Sequence, residues 1–240
     1  MQGPALAKHH SIDASFKFSM WGPSMWHLSR KLIALAIATL VVAVPASADQ
    51  VAQSRGQDRQ AIYMRVFGVT NPPYAFVEFC ERDPAECSQG PGEETRIAGN
   101  AEQMVQLDRI NRSVNAEIQP ATDMELYGVT DYWTIPQNGK GDCEDYALLK
   151  RQRLMQMGWP ASALLMTVVY DEKNEGHAIL TARTANGDFI LDNKTDELKL
   201  WSKTPYRYVM RQSYLNPRIW MSLDPKEAAT SVPLASARTP

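Results

Sequence analysis

The sequence predicts an α+β domain, with helices first and a mostly antiparallel sheet packed on them. Three observations predict it. Met104, Leu107, Ile110, Val114 and Ile118 recur at spacings of 3, 3, 4 and 4, which is one face of an amphipathic helix. From residue 163 the period changes to apolar, β-branched runs typical of strands. Asn186-Gly187 separates two of those runs and signals a hairpin.

The elements follow in chain order. Arg30-Lys31 precede an apolar run from Leu32 to Val44, followed by Pro-Ala-Ser-Ala. That pattern is a secretory signal with cleavage expected after Ala48. The run is too short and wrongly flanked to span a bilayer. Starting at Met25 would give a signal of ordinary length, so residues 1–24 read as a misassigned start. The expected organisation is a signal region over 1–48, one domain over 49–223 and a disordered tail over 224–240.

Within the domain, Asn71-Pro72-Pro73 breaks the chain ahead of a short helix, YAFVEFCER, and SQGPGEE (88–94) reads as a loop. Residues 119–140 read as irregular, with Tyr132 and Trp133 half-buried. A helix then begins at Cys143, with Asp142 as N-cap and Glu144 and Asp145 in its first turn; Gly158 stops it. ALLMTVVY (163–170), HAILTAR (177–183), DFILDN (188–193), YRYVMRQ (206–212) and RIWMSL (218–223) read as strands.

Removing the four Lys/Arg and one Asp of residues 1–48 from totals of 25 and 27 leaves 21 basic and 26 acidic residues. The remainder carries no basic stripe, which argues against nucleic acid as a partner. His9, His10 and His27 leave with the signal, so His177 is the one histidine of residues 49–240. All three cysteines remain. Cys80 and Cys87, close in FCERDPAEC, could close a local disulfide in an oxidising compartment, leaving Cys143 unpaired.

Cys143 sits among three carboxylates, Asp142, Glu144 and Asp145, which disfavour a thiolate. The predicted helix start works the other way, because its free N–H groups and dipole favour one. A thiol nucleophile needs a base, and the base an orienting group. His177 opens one strand and Asp192 lies on the next, an order that agrees with papain-like chemistry. A two-residue Asn186-Gly187 turn would set Asp192 opposite Thr181 and Asp196 opposite His177, all on one face. Direct His177–Asp192 contact then needs another turn, a bulge or strong twist, and Asp196 is the second candidate for the orienting role.

GDCEDYALLKRQRLMQMGWPASALLMTVV, EGHAILTART and DFILDN resemble the bacterial transglutaminase-like cysteine peptidases. The likeness runs from about Pro73 to Leu223 and includes NAEIQPATDMELYGVTDYW. It implies a papain/transglutaminase-like fold with Cys143 as nucleophile, His177 as general base and Asp192 as its orienting group. The family includes a calcium-dependent periplasmic protease that clips biofilm adhesins. Carried over by position, that implies Ca²⁺ held by Asp142, Glu144 and Asp145. Hard oxygen ligands suit Ca²⁺, and the dication would offset the negative field at Cys143. The plainer reading is that Asp142 caps the helix while Glu144 and Asp145 face solvent. The expected function is an exported, periplasmic cysteine endopeptidase acting on a protein, such as a surface adhesin, under control of an inner-membrane receptor with a periplasmic domain. Transglutaminase-type acyl transfer, cell-wall peptide hydrolysis and a non-catalytic calcium-responsive binding module are the alternatives.

Overall fold

Residues 62–87 and 96–226 are described by the computed structural model of the chain. The expected signal region (1–48), the loop 88–94 and the tail beyond Lys226 lie outside them. After β1 (Val69–Thr70), the helix α1 (Tyr74–Arg82) starts directly behind Pro73, where a missing N–H costs nothing. A short α2 (Pro84–Cys87) follows, and a Cys80–Cys87 disulfide joins the two with Cα atoms 5.5 Å apart.

The amphipathic spacing becomes α3 (Ala101–Glu117), which buries Leu107, Ile110 and Val114. Its start is fixed by a capping box between Asn100 and Gln103. The stretch read as irregular is more ordered than expected. It holds β2 (Gln119–Pro120), α4 (Asp123–Tyr127) and β3 (Lys140–Gly141), with β2 and β3 paired in parallel. A Thr122/Glu125 capping box starts α4 and left-handed Gly128 ends it. Trp133 is fully buried rather than half-buried, edge-on to Phe76 and Trp220 at centroid distances of 5.5 and 6.2 Å.

The helix α5 (Cys143–Gln156) runs through the centre and is buried on nearly every side from Glu144 to Arg151. It packs on α3 and against the sheet formed by β4 (Leu164–Tyr170), β5 (Gly176–Thr184), β6 (Gly187–Leu191), β7 (Lys199–Leu200), β8 (Arg207–Gln212) and β9 (Trp220–Ser222). With β1, the order is β1-β9-β8-β4-β5-β6-β7, and every pairing in it is antiparallel. Ala178, Leu180, Ala182 and Leu191 face the helices. Ile179 and Ile190 form a smaller cluster with Met64 and Val169 on the opposite face, flanked by Tyr206 and Tyr208.

The β5–β6 hairpin departs from the register that Asn186-Gly187 suggests. Thr184 pairs with Gly187, so the turn residues are Ala185 and Asn186. Asn186 is diverted to Gly99 O (2.6 Å), and Gly187 takes φ +129° as the first strand residue. A Cβ on Gly187 would lie 2.9 Å from Ile62 O, so the close approach of that backbone requires glycine there. The ladder is thereby shifted two residues, which preserves which face each side chain takes.

Candidate active site

Cys143 opens α5, with Asp142 as the extended residue before it; Asp142 O accepts the first helical bond, from Tyr146 N–H (3.2 Å). The thiol is half-buried and is the free cysteine of the chain. Its S–H donates to Glu144 Oε2 at 3.0 Å, and Ala178 N–H donates to its sulfur at 3.4 Å. Ala178 follows His177 on β5, so helix start and strand start meet at the thiol. Cys143, Glu144, His177, Ala178, Asp142 and Trp133 line one open cleft of about 400 Å³.

His177 and Asp192 are both buried, and His177 Nε2 lies 2.9 Å from Asp192 Oδ1. Burial works to raise the Asp192 carboxyl, but His177, Lys194 N–H and the Tyr206 hydroxyl outweigh it and hold it below its ordinary range. An ionised Asp192 can only accept, so Nε2 carries the proton and Nδ1 is the basic nitrogen. Further bonds hold the Asp192 backbone. Its N–H donates to Asn111 Oδ1 (3.0 Å), and its carbonyl accepts from Asn115 Nδ2 (2.9 Å). Asp196 is turned away from His177 and accepts from Asn115 Nδ2 at 2.9 Å. The two-residue register shift therefore brings Asp192, not Asp196, to His177.

The carboxylates around Cys143 correct a second expectation. Asp142 occupies the N-cap position but makes no side-chain cap bond; its Oδ2 accepts from Asp123 N–H at 3.3 Å. Glu144 and Asp145 do not face solvent: they are 5% and 0% exposed. Two clusters form with ligand atoms within 4.8 Å of one another, Asp123/Asp142/Asp145 and Asp123/Asp131/Glu144. Burial, then the charge of Asp142, pushes Glu144 up to about 9. Burial raises Asp145 to about 8, with Asp142 and Asp123 adding to it against a bond from Thr134 N–H. Asp123 Oδ1, Asp142 Oδ1 and Asp145 Oδ2 are buried without a hydrogen-bond partner. Buried carboxylate oxygens left unpaired next to other carboxylates are costly, and a hard dication satisfies all three. The donor set thus fits Ca²⁺. Asp123 and Asp131 escaped the sequence reading because they lie in the segment without periodicity, although T-D-M-E at 122–125 carries a capping-box signature.

Burial, then the charge and hydrogen bond of Glu144, pushes the Cys143 thiol well above its ordinary range, with Ala178 N–H opposing. The arrangement can generate a thiolate where Nδ1 of His177 takes the proton and a cation offsets the acids.

The profile of the bacterial transglutaminase-like cysteine proteinases (BTLCP) matches residues 66–228. The chain belongs to this family. Among solved structures, the BTLCP chain is similar to EGTA-treated Legionella pneumophila LapG at 26% identity over 49% of this chain, with a TM-score of 0.42. That match spans 66% of the LapG chain, just under two thirds of it. Calcium-bound LapG from the same organism aligns at 20% identity over 72% of this chain and 86% of its own, with a TM-score of 0.43. No curated protein matches the chain. BTLCP members are cysteine peptidases, the chemistry for which the cleft brings a thiol, an imidazole and a carboxylate together.

Proposed function

We propose that the chain is an exported cysteine endopeptidase with Cys143 as nucleophile, His177 as base and Asp192 as the group that orients His177. The observation that carries this is the buried His177 Nε2–Asp192 Oδ1 bond, which leaves Nδ1 basic in the cleft that holds Cys143. His177 Nδ1 takes the thiol proton and the sulfur attacks the carbonyl carbon of a scissile peptide. The oxyanion faces the free N–H groups at the start of α5, including that of Cys143. The tetrahedral intermediate collapses as His177 passes its proton to the leaving amine, giving a Cys143 thioester. A water then loses its proton to His177, attacks the thioester, and the thiol is restored.

Calcium belongs to the proposal. Asp123, Asp142 and Asp145 would hold it, and Asp123 also belongs to the neighbouring cluster with Asp131 and Glu144. When bound, the ion supplies positive charge that counters the carboxylate field opposing a Cys143 thiolate.

The proposed compartment is the periplasm. The signal-like segment over 1–48 supports it, as does a Cys80–Cys87 disulfide alongside one free thiol. Among the described residues no helix is long and apolar enough to cross a membrane. The proposed substrate is a protein, such as a surface adhesin, with an inner-membrane receptor as regulator.

The test is iodoacetamide labelling of the purified chain with Ca²⁺ and with EGTA, in wild type and His177→Ala. The proposal expects fast, chelator-sensitive labelling of Cys143 that His177→Ala slows. Equal rates in wild type and His177→Ala would sink the triad. Incubation with a labelled amine and a candidate protein separates the outcomes: two shorter fragments mean proteolysis, and amine incorporation means acyl transfer.

A further inference from the structure

The hydroxyl of Tyr206 donates a hydrogen bond to Asp192 Oδ2, the oxygen that His177 does not use. The same ring stands edge-on to the His177 imidazole, with centroids 5.6 Å apart and planes at 70°. Tyr206 thus touches both members of the pair from one position. It lies immediately before β8 and packs beside the small cluster of Met64, Val169, Ile179 and Ile190. Asp192 Oδ1 is already shared between His177 Nε2 and Lys194 N–H (3.0 Å). Its backbone is committed to Asn111 and Asn115. Tyr206 is therefore the side-chain donor that fixes the rotation of the carboxylate about its Cβ–Cγ bond, and so the plane in which Oδ1 meets the imidazole. Burial, then the Asp192 bond and charge, pushes the phenol far above its ordinary range, so it remains an O–H donor at every working pH.

We infer that Tyr206 is a positioning residue of the catalytic array: it locks Asp192 through its hydroxyl and His177 through its ring, and so aims His177 Nδ1 at Cys143. This rests on the peptidase reading above. A sequence reading absorbs Tyr206 as an ordinary residue of YRYVMRQ, because an aromatic at a strand start is explained by packing alone. Packing alone requires the ring. Aiming requires the hydroxyl, and the two separate in Tyr206→Phe.

The test uses the full chain with saturating Ca²⁺, iodoacetamide as the probe of Cys143, and ¹⁵N-labelled histidine to follow the His177 Nε2–H proton by NMR. Four variants are compared with wild type: Tyr206→Phe, Asp192→Asn, the double variant and His177→Ala. Loss of one charge-assisted hydrogen bond is expected to slow alkylation about tenfold in Tyr206→Phe. The unfolding midpoint falls by a few degrees, as expected for one lost buried hydrogen bond, and the Nε2–H resonance moves upfield and exchanges faster. In the Asp192→Asn background Tyr206→Phe adds no further slowing, since it acts through that carboxylate. Wild-type alkylation and an unmoved Nε2–H resonance in Tyr206→Phe would overturn the inference. So would additive slowing in the double variant, which would assign Tyr206 to packing. If His177→Ala itself alkylates at the wild-type rate, the peptidase reading falls and takes this inference with it. Slowing by His177→Ala with none by Tyr206→Phe overturns this inference alone.

Discussion

His177 and Asp192 meet at 2.9 Å although they are not opposite one another in the ladder. The last β5–β6 pair is Leu180 with Leu191, so continuing the register sets Asp192 across from Ile179, two residues from His177. Diagonal neighbours on one face of an antiparallel pair lie about 7–8 Å apart at Cα, within reach of an imidazole and a carboxylate. Asp192→Asn is expected to slow Cys143 alkylation by about 10²-fold or more, because the amide can donate to Nε2 and favours the wrong tautomer. Asp196→Ala should leave the rate within about twofold, since Asp196 bonds Asn115 and lies 3.7 Å from Arg112 rather than at His177. A large loss in Asp196→Ala with none in Asp192→Asn would reverse the assignment.

Asp123 belongs to both acidic clusters, and its Oδ1 is buried without a partner. Asp123→Asn is therefore expected to remove most of the Ca²⁺-dependent rise in unfolding temperature. A ligand at 100 times its Kd stabilises by about 2.7 kcal/mol, which calorimetry resolves. An undiminished calcium response in Asp123→Asn would exclude the shared-ligand role.

The same carboxylates predict an unusual pH dependence for the chelated protein. Glu144 and Asp145 have folded values raised to about 9 and about 8 from the ordinary carboxylate range. Below about pH 4 both states are protonated and no difference arises. Above it the folded state holds protons that the unfolded state has released, so stability falls as pH rises toward those folded values. Each such proton contributes a slope of about 1.4 kcal/mol per pH unit. Lys150, pushed down to about 7 by burial, adds the opposite slope above that pH. The clean window is thus roughly pH 5 to 7. There the EGTA-treated protein should lose stability with rising pH in denaturant titrations, and Ca²⁺ should flatten the trend. A flat chelated profile would contradict the buried, protonated state of these acids.

These outcomes mark where the sequence was legible and where it was not. The α3 spacing and the strand runs were legible because burial imposes a period: YAFVEFCER is α1, and ALLMTVVY becomes β4 but for its first residue. Cys143, His177 and Asp192 could be named because each stands at the end of such an element. The hairpin register could not, because Asn186 and Gly187 are claimed by Gly99 and Ile62, residues far away in sequence. Nor could the roles of Asp123, Asn111 and Tyr206, whose letters are fully explained by a helix start, a helix face and a strand.

Asn111 illustrates that last point. It sits on the apolar face of α3 and is completely buried. Its amide accepts from Asp192 N–H and donates to Thr195 O, both at 3.0 Å. Asn111→Leu keeps the volume and leaves the buried Asp192 N–H unpaired, at a cost of about 1–3 kcal/mol, while Thr195 O keeps its bond from Asn115 Nδ2 (3.2 Å). The expected outcome is a lower unfolding midpoint together with slower alkylation of Cys143, because the loop that carries Asp192 is released. Loss of stability with full reactivity would limit Asn111 to the core.

Gly141 provides the sharpest test of how the acids are packed. A Cβ there would lie 2.4 Å from Asp145 Oδ2, 2.7 Å from its Cβ and 3.0 Å from its Cγ. The contact is not with a flexible tip, since Asp145 is buried and anchored by Thr134 N–H at 3.0 Å. Gly141→Ala must therefore displace either β3 or the carboxylate, an overpacking cost of about 1–3 kcal/mol. Gly139 is the control: a Cβ there meets nothing within 4 Å, but the backbone has φ +70°. Gly139→Ala should cost about 1 kcal/mol through backbone strain while leaving the calcium response intact. Gly141→Ala should lose that response as well as stability, because the displaced oxygen is one of the three that are buried without a partner. Equal calcium-induced shifts in the two variants, measured by thermal unfolding, would show that Asp145 Oδ2 is not a ligand.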